Sequence, residues 1–247
     1  MQSQSDPFHP ILDEPMASVE FTRLRIPARG WLFHAGQPRP GLYFVNAGYF
    51  RTSVGSDDGR EHITAFPMRG DWLGLESLGS DCHVSDAVAL EASEVWHLPA
   101  SAHADPAVAC AIAARCARQM REQQAWALAV GTLCAERRVM AFLRDQAARH
   151  ANLGCSGTRF TLRMTRAEMG NFLALQIETV TRALAKLQAH GEILVDRRDV
   201  TLLSVQHALA SSGMPLRQQP GAHGRRAWKA SRSRTTAAAQ SHAHGPM

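Results

Sequence analysis

Two hydrophobic rhythms run along this chain. From residue 21 to about 98, short apolar runs are cut by glycine at positions 30, 36, 41, 48, 55, 59, 70, 74 and 79. Short strands at that spacing predict an antiparallel roll or barrel. One hairpin is explicit: Gly48 to Val54 leads into Ser56-Asp57-Asp58-Gly59, and Glu61 to Phe66 returns. The Asp-Gly step marks the turn because glycine accepts a positive φ without steric cost. Pro106 then opens a helical period that runs to about Leu133. Val108, Ile112, Cys116, Met120, Ala127 and Val130 form a stripe rich in small side chains, a pattern that a core helix packed on its own domain would also show. A second helix is predicted over Ala135 to Ala151. Beyond Gly191, Ile193 to Val195 and Val200 to Leu203 flank Asp196-Arg197-Arg198-Asp199 and read as a β-hairpin wing.

Between these lies the most informative stretch, residues 165 to 190, which reads as two short helices joined by a tight turn. Thr165 and Glu168 stand in capping-box register. Met169, Phe172 and Leu173 give the first helix an apolar face, and the chain breaks at Ala174-Leu175. The second helix carries Ile177, Val180, Leu184 and Leu187 as its expected buried stripe. Glu178, Thr181 and Arg182 fall at i, i+3 and i+4, so they share another face near the helix start. That is where a recognition helix meets base edges in the major groove. Arg182 can donate two hydrogen bonds to guanine, Glu178 can accept from the cytosine amino group, and Thr181 offers a hydroxyl and a methyl. Thr165, Arg166, Thr179 and Lys186 are placed for phosphates, which fix position without specifying sequence. By spacing alone, an ordinary helical hairpin with a Glu178–Arg182 surface pair fits equally well.

Charge changes the picture less than its total suggests. The net charge is +5, yet six basic residues (Arg217, Arg225, Arg226, Lys229, Arg232 and Arg234) and no acidic ones follow residue 210. Before that point 21 basic residues face 22 acidic ones, so the basic character belongs to the tail. The tail is also rich in Ala, Ser, Gly and His, a composition with too little apolar surface to offset ordering entropy. No run approaches the roughly 18 apolar residues of a membrane span. The first ten residues, MQSQSDPFHP, lack a basic start and an apolar core, so no secretory signal is expected. Five cysteines (Cys82, Cys110, Cys116, Cys134 and Cys155) follow no metal-ligand spacing, which suits free thiols in a reducing cytoplasm. No nucleophile–base arrangement points to an enzyme.

The stretches MTRAEMGNFL, ETVTR and LAKLQAHGEI closely resemble the helix-turn-helix of the CRP/FNR family of bacterial transcription regulators, nearest its FNR/FixK branch. The resemblance runs from about residue 21 to 205. It implies an α+β protein with an N-terminal antiparallel β-roll like a cyclic-nucleotide-binding domain, a long dimerisation helix, and a C-terminal winged helix-turn-helix. The corresponding boundaries are an arm over 1–20, the roll over 21–103, the helix over 104–134, the DNA-binding domain over 135–207 and the basic tail over 208–247. The implied partners are double-stranded DNA carrying a TTGAT-like palindrome, a second copy of the chain, and RNA polymerase. Ala113 and Cys116 would lie between the two copies.

Several positions depart from the family pattern. Serine is usual where Thr181 stands, glycine is usual at Ala174, and Ser or Thr is usual at Gln176. A left-handed Ala174 would cost roughly 1–2 kcal/mol, and the missing N-cap about 1 kcal/mol. Cyclic-AMP-binding members hold ribose with a glutamate and phosphate with an Arg-Ser pair. Here those positions are Leu75 and Ser85-Asp86, and an aspartate repels a phosphate. FNR itself holds an iron–sulfur cluster with N-terminal cysteines and one more in the roll. This chain has no cysteine before Cys82, and Trp96 stands where the fourth ligand would fall. Two alternatives remain at this point: haem bound through His34, His62, His83 or His97, and a thiol switch at Cys134 or Cys155. The leading expectation is a regulator with no bound cofactor.

Overall fold

A computed structural model describes Met16 and residues 19–203. Most of the 1–20 arm and all of the 208–247 tail lie outside the described residues. The first half is a roll of two antiparallel sheets. Strands β1 (Thr22–Ile26), β8 (Ser93–Pro99), β3 (Gly41–Ala47) and β6 (Trp72–Leu73) form one sheet, in the order β1-β8-β3-β6. Strands β2 (Trp31–Phe33), β7 (Asp86–Ala89), β4 (Phe50–Gly55) and β5 (Glu61–Ala65) form the other, in the order β2-β7-β4-β5. Every pairing is antiparallel, and alternation along the strands sends one set of side chains into the roll. Phe33, Tyr43, Val45, Phe50, Leu73 and Val95 meet there. The β4–β5 turn follows the predicted register, with Gly59 at φ 80°.

Helix α1 (Pro106–Thr132) starts where Asp105 accepts the Ala107 N–H at 2.8 Å and Pro106 presets the first turn. Its Val108 and Ile112 are buried against Leu42, Phe44, Trp72 and Trp96 of the roll, and Cys116 packs on the same cluster. The expected stripe therefore splits. Cys116 faces its own roll, whereas Met120 is 59% and Leu128 63% exposed. Small residues on several sides of α1 give little contrast between faces, and Cys116, expected between two copies, packs against its own roll instead. The outward side carries Cys110, Ala113, Ala114, Ala117, Met120 and Ala127, all exposed.

Leu133 and Cys134 break the chain before α2 (Ala135–Asn152). A three-stranded sheet in the order β10-β11-β9 follows, built from β9 (Arg159–Thr161), β10 (Ile193–Asp196) and β11 (Asp199–Leu202). Helices α3 (Arg166–Leu173) and α4 (Ile177–Ala189) lie between β9 and β10. Val139, Phe142, Leu143, Met169, Leu173, Val180, Leu184 and Leu187 form the core of this half, and Tyr49, Ile63, Phe66 and Met68 of the roll join it. Polar contacts cross the same seam. The Tyr49 hydroxyl donates to Gln146, Arg149 pairs with Asp71, and Arg163 meets Glu91 at 3.1 Å. Burial pushes the Tyr49 phenol up to about 12. Among the described residues, no helix is long and apolar enough to cross a membrane.

Candidate nucleic-acid interface

Helix α3 begins with the full capping box. The Thr165 hydroxyl accepts the Glu168 N–H at 3.1 Å, and the Glu168 carboxylate accepts the Thr165 N–H at 2.7 Å. The Thr165 hydroxyl also contacts Glu168 Oε2 at 3.0 Å, so this side chain, expected at a phosphate, is occupied in shaping the helix start. The turn is tight for two reasons. Ala174 adopts the left-handed conformation at φ 53°, ψ 47°. Gly170 lets the backbones close: a Cβ there would lie 2.6 Å from the Leu175 carbonyl oxygen and 3.4 Å from a Val180 methyl. Gln176 then starts α4 with no side-chain cap, as its residue type implies.

Helix α4 buries Val180, Ala183, Leu184 and Leu187. Ile177, expected in that stripe, is instead 44% exposed. A 3.6-residue period gives the side of the helix, not whether a neighbour covers its first turn. Glu178, Thr181 and Arg182 are all exposed on the outward face. The Thr181 hydroxyl donates to the Ile177 carbonyl at 2.9 Å, leaving its methyl and its remaining acceptor capacity outward. Arg166, from α3, reaches the same hydroxyl at 3.5 Å, joining the two helices at this surface. The Arg182 guanidinium rests 3.4 Å from the Thr179 hydroxyl, which draws it toward the start of the helix.

Lys186 lies farther along and pairs with Glu136 at the start of α2, at 2.7 Å. The hydrogen bond from Lys186, aided by its charge, holds the Glu136 carboxyl at about 2. Arg166, Thr181, Arg182 and the Ile177 side chain thus share the surface at the start of α4, with Thr179 half-buried beside them. Lys186 is tied to the neighbouring helix. Periodicity missed Ile177, Gly170 and Arg138. The last donates to the Leu133 carbonyl at 2.8 Å and the Leu173 carbonyl at 3.2 Å, fastening the α1–α2 break to the end of α3. The charged run Glu136-Arg137-Arg138 at the start of α2 could have flagged Arg138, but its partners are set by tertiary contact.

In the roll, most of the positions weighed for ligands have other occupations, while His62 is exposed. Leu75 is buried in a short 3₁₀ turn. Asp86 accepts the Ala35 N–H at 2.9 Å and meets His34 at 3.4 Å. Trp96 packs among Phe21 and Phe44. His83 stacks on Phe33 with ring centroids 3.7 Å apart. Burial lowers its pKa, and the charge of Arg39 lowers it further. Burial likewise lowers the pKa of His97 and His103. All five cysteines are free, with Cys110, Cys134 and Cys155 exposed.

Comparison with known proteins gives the same two halves. Residues 23–105 match the cyclic nucleotide-binding domain and residues 137–207 the Crp-like helix-turn-helix domain. The chain is 33% identical over 188 residues to the transcriptional regulatory protein btr of Bordetella pertussis, covering 74% of this chain and 78% of that protein. It is 31% identical over 187 residues to the fumarate and nitrate reduction regulatory protein of Salmonella typhimurium, covering 74% and 75%. The structure of FixK2 from Bradyrhizobium japonicum superposes with a TM-score of 0.68 at 28% identity, over 76% of this chain and 96% of that one. The two regulatory relatives are transcription regulators, not enzymes.

Proposed function

This chain belongs to the CRP/FNR family of DNA-binding transcription regulators, and from that premise we propose that it reads a TTGAT-like palindrome as a homodimer, without requiring a bound cofactor. It would act in the cytoplasm with RNA polymerase as its partner. The observation that carries the reading is the surface at the start of α4. Glu178, Thr181 and Arg182 point outward there, while Val180, Leu184 and Leu187 fix the helix from behind. Arg182 suits the O6 and N7 of guanine and Glu178 the paired cytosine amino group. Ile177 and the Thr181 methyl suit thymine methyls beside them. Arg166, Thr179 and Lys186 flank this face as the phosphate-side group, with Lys186 exchanging Glu136 for phosphate, whereas the Thr165 hydroxyl would have to leave Glu168 to join them.

Pairing of two copies is supported by the outward side of α1. Cys110, Ala113, Ala117, Met120, Gln124, Ala127 and Gly131 recur at alternating threes and fours and are exposed in the single chain. Such spacing makes a continuous seam between two parallel helices, and small residues let the backbones approach. Independence from a cyclic nucleotide is supported by Ser85 and Asp86, which stand where the family's Arg-Ser pair holds the phosphate and are engaged instead with Glu76 and with Ala35 and His34.

Competition binding with half-sites substituted one base at a time tests the reading. Arg182→Ala should cost about 1–3 kcal/mol and relax preference at the guanine position alone. A variant that keeps the wild-type preference at every position would overturn the assignment.

A further inference from the structure

We infer that Asn171 is a positioning residue through which the roll sets the orientation of the reading head, and hence the spacing of half-sites the dimer accepts. The inference rests on the palindrome-reading dimer proposed above. Strand β5 is the edge of its sheet, so the backbone groups on its outer side lack a strand partner. The Asn171 carboxamide supplies one. Its Oδ1 accepts the Ile63 N–H at 2.6 Å, and its Nδ2 donates to the Glu61 carbonyl at 2.8 Å. An N–H and a C=O two residues apart on one strand edge point the same way. A single carboxamide therefore satisfies both, as a neighbouring strand's backbone would. Only one orientation of the amide makes both bonds, so the assignment of oxygen and nitrogen follows from the pattern.

The rest of the roll-facing side of α3 reinforces this clamp. Glu168 lies 3.6 Å from Arg29 and 4.0 Å from Arg51, and Arg51 also holds Glu61 at 3.1 Å. Phe172 packs edge-on against Phe66 of the roll and Trp126 of α1. The far side of α3 is locked to α4 by the close approach at Gly170. Orientation thus passes from β5 through Asn171 to α3, and from α3 to Glu178, Thr181 and Arg182. None of those three side chains touches the clamp.

In a two-fold dimer, each added base pair between half-sites turns one site by about 35° relative to the other. A clamped head resists following that turn, whereas a released head follows it. Asn171→Ala should therefore leave the base preference within a half-site unchanged. It should lower the discrimination between the best spacing and spacings one base pair longer or shorter, by about tenfold for two lost hydrogen bonds of modest net strength. General destabilisation would weaken binding at every spacing by the same factor and leave the ratio alone.

The test is a set of palindromes with graded spacers, bound to the full-length wild type, Asn171→Ala and Asn171→Asp. Asn171→Asp keeps an acceptor for Ile63 but places a carboxylate against the Glu61 carbonyl, so it should also broaden the profile. Hydrogen exchange in the wild-type chain adds a readout independent of either variant's folding: the Ile63 amide should exchange slowly although it faces the sheet edge. An unchanged spacer ratio in the variants, or a rapidly exchanging Ile63 amide, would overturn the inference. A wild type with no half-site preference at any spacing would instead overturn the reading it rests on.

Discussion

Ala174 lets the turn between α3 and α4 be tested by a substitution that should stabilise the protein. Its backbone sits at φ 53°, ψ 47°, where an L-residue with a Cβ is strained by roughly 1–2 kcal/mol. Ala174→Gly removes that strain. The added freedom of glycine in the unfolded chain returns about 0.4–1 kcal/mol of it. The side chain is exposed, so little packing is lost. The balance is a gain of about 0.5–1 kcal/mol. For a chain of this size, about 2–4 °C accompanies each kcal/mol, which places the expected rise in melting temperature at about 1–4 °C.

Ala167 supplies the control. It is also exposed, but lies inside α3, where glycine costs about 1 kcal/mol. Ala167→Gly should lower the melting temperature by a few degrees, and Ala174→Val should lower it too, because a branched Cβ sharpens the left-handed clash. Calorimetry or thermal denaturation of the three variants, at matched concentration, reads the signs directly. If Ala174→Gly falls as Ala167→Gly does, the turn is not left-handed at 174 and the account of how α3 hands over to α4 fails. Because the substitution lies off the outward face of α4, half-site preference should not change.

Two further predictions follow from other parts of the structure. Ala117→Glu places a charge on the exposed seam of α1, where two copies would set like charges together; the dimer dissociation constant should rise roughly tenfold or more, and an unchanged sedimentation profile would refute the seam. The histidines of the roll predict an acid-sensitive fold. Burial depresses the pKa of His83, His97 and His103 below the unfolded value of about 6.5, so no stability difference arises above that pH. As pH falls through 6.5, the unfolded chain takes up protons that the folded chain refuses, and stability declines until the folded pKa values are reached. His83→Leu should flatten that decline in melting temperature, and parallel curves for variant and wild type would refute the assignment.

What could be read from the sequence was local. The capping box at Thr165 and Glu168, the turn ending at Gly59 and the wing around Arg197 depend on residues within a few positions of one another, and each took the expected form. The seam of α1 was only half legible, because alanines on several sides give the 3.6-residue period little contrast. Its phase is set by which side meets Trp72 and Trp96 of the roll. Asn171 could not be found by period or spacing at all. Its partners are 108 and 110 residues away and are backbone groups, so they leave no trace in side-chain chemistry. Ile177 failed for a related reason: whether the first turn of a helix is covered depends on the neighbour.

The arrangement of α3 gives perturbations of this protein separable consequences. Met169 and Leu173 face the core, Gly170 faces the turn, Asn171 and Phe172 face the roll, and Arg166 reaches Thr181 on the outward face of α4. A change on the outward face of α4 should alter which bases are preferred. A change at Gly170 or Ala174 should alter stability. A change at Asn171 should alter geometry between two heads and spare base preference, at a modest cost in stability from its two lost hydrogen bonds. Lys186 is the exception, since its ion pair with Glu136 joins α4 to α2 and its exposed ammonium is also the phosphate contact proposed above. The pair is exposed, and such pairs contribute little to stability. Exchanging the Glu136 carboxylate for phosphate therefore costs the fold little. It would leave Glu136 a free carboxylate near the backbone, so charge at that position should weaken binding to all sequences equally.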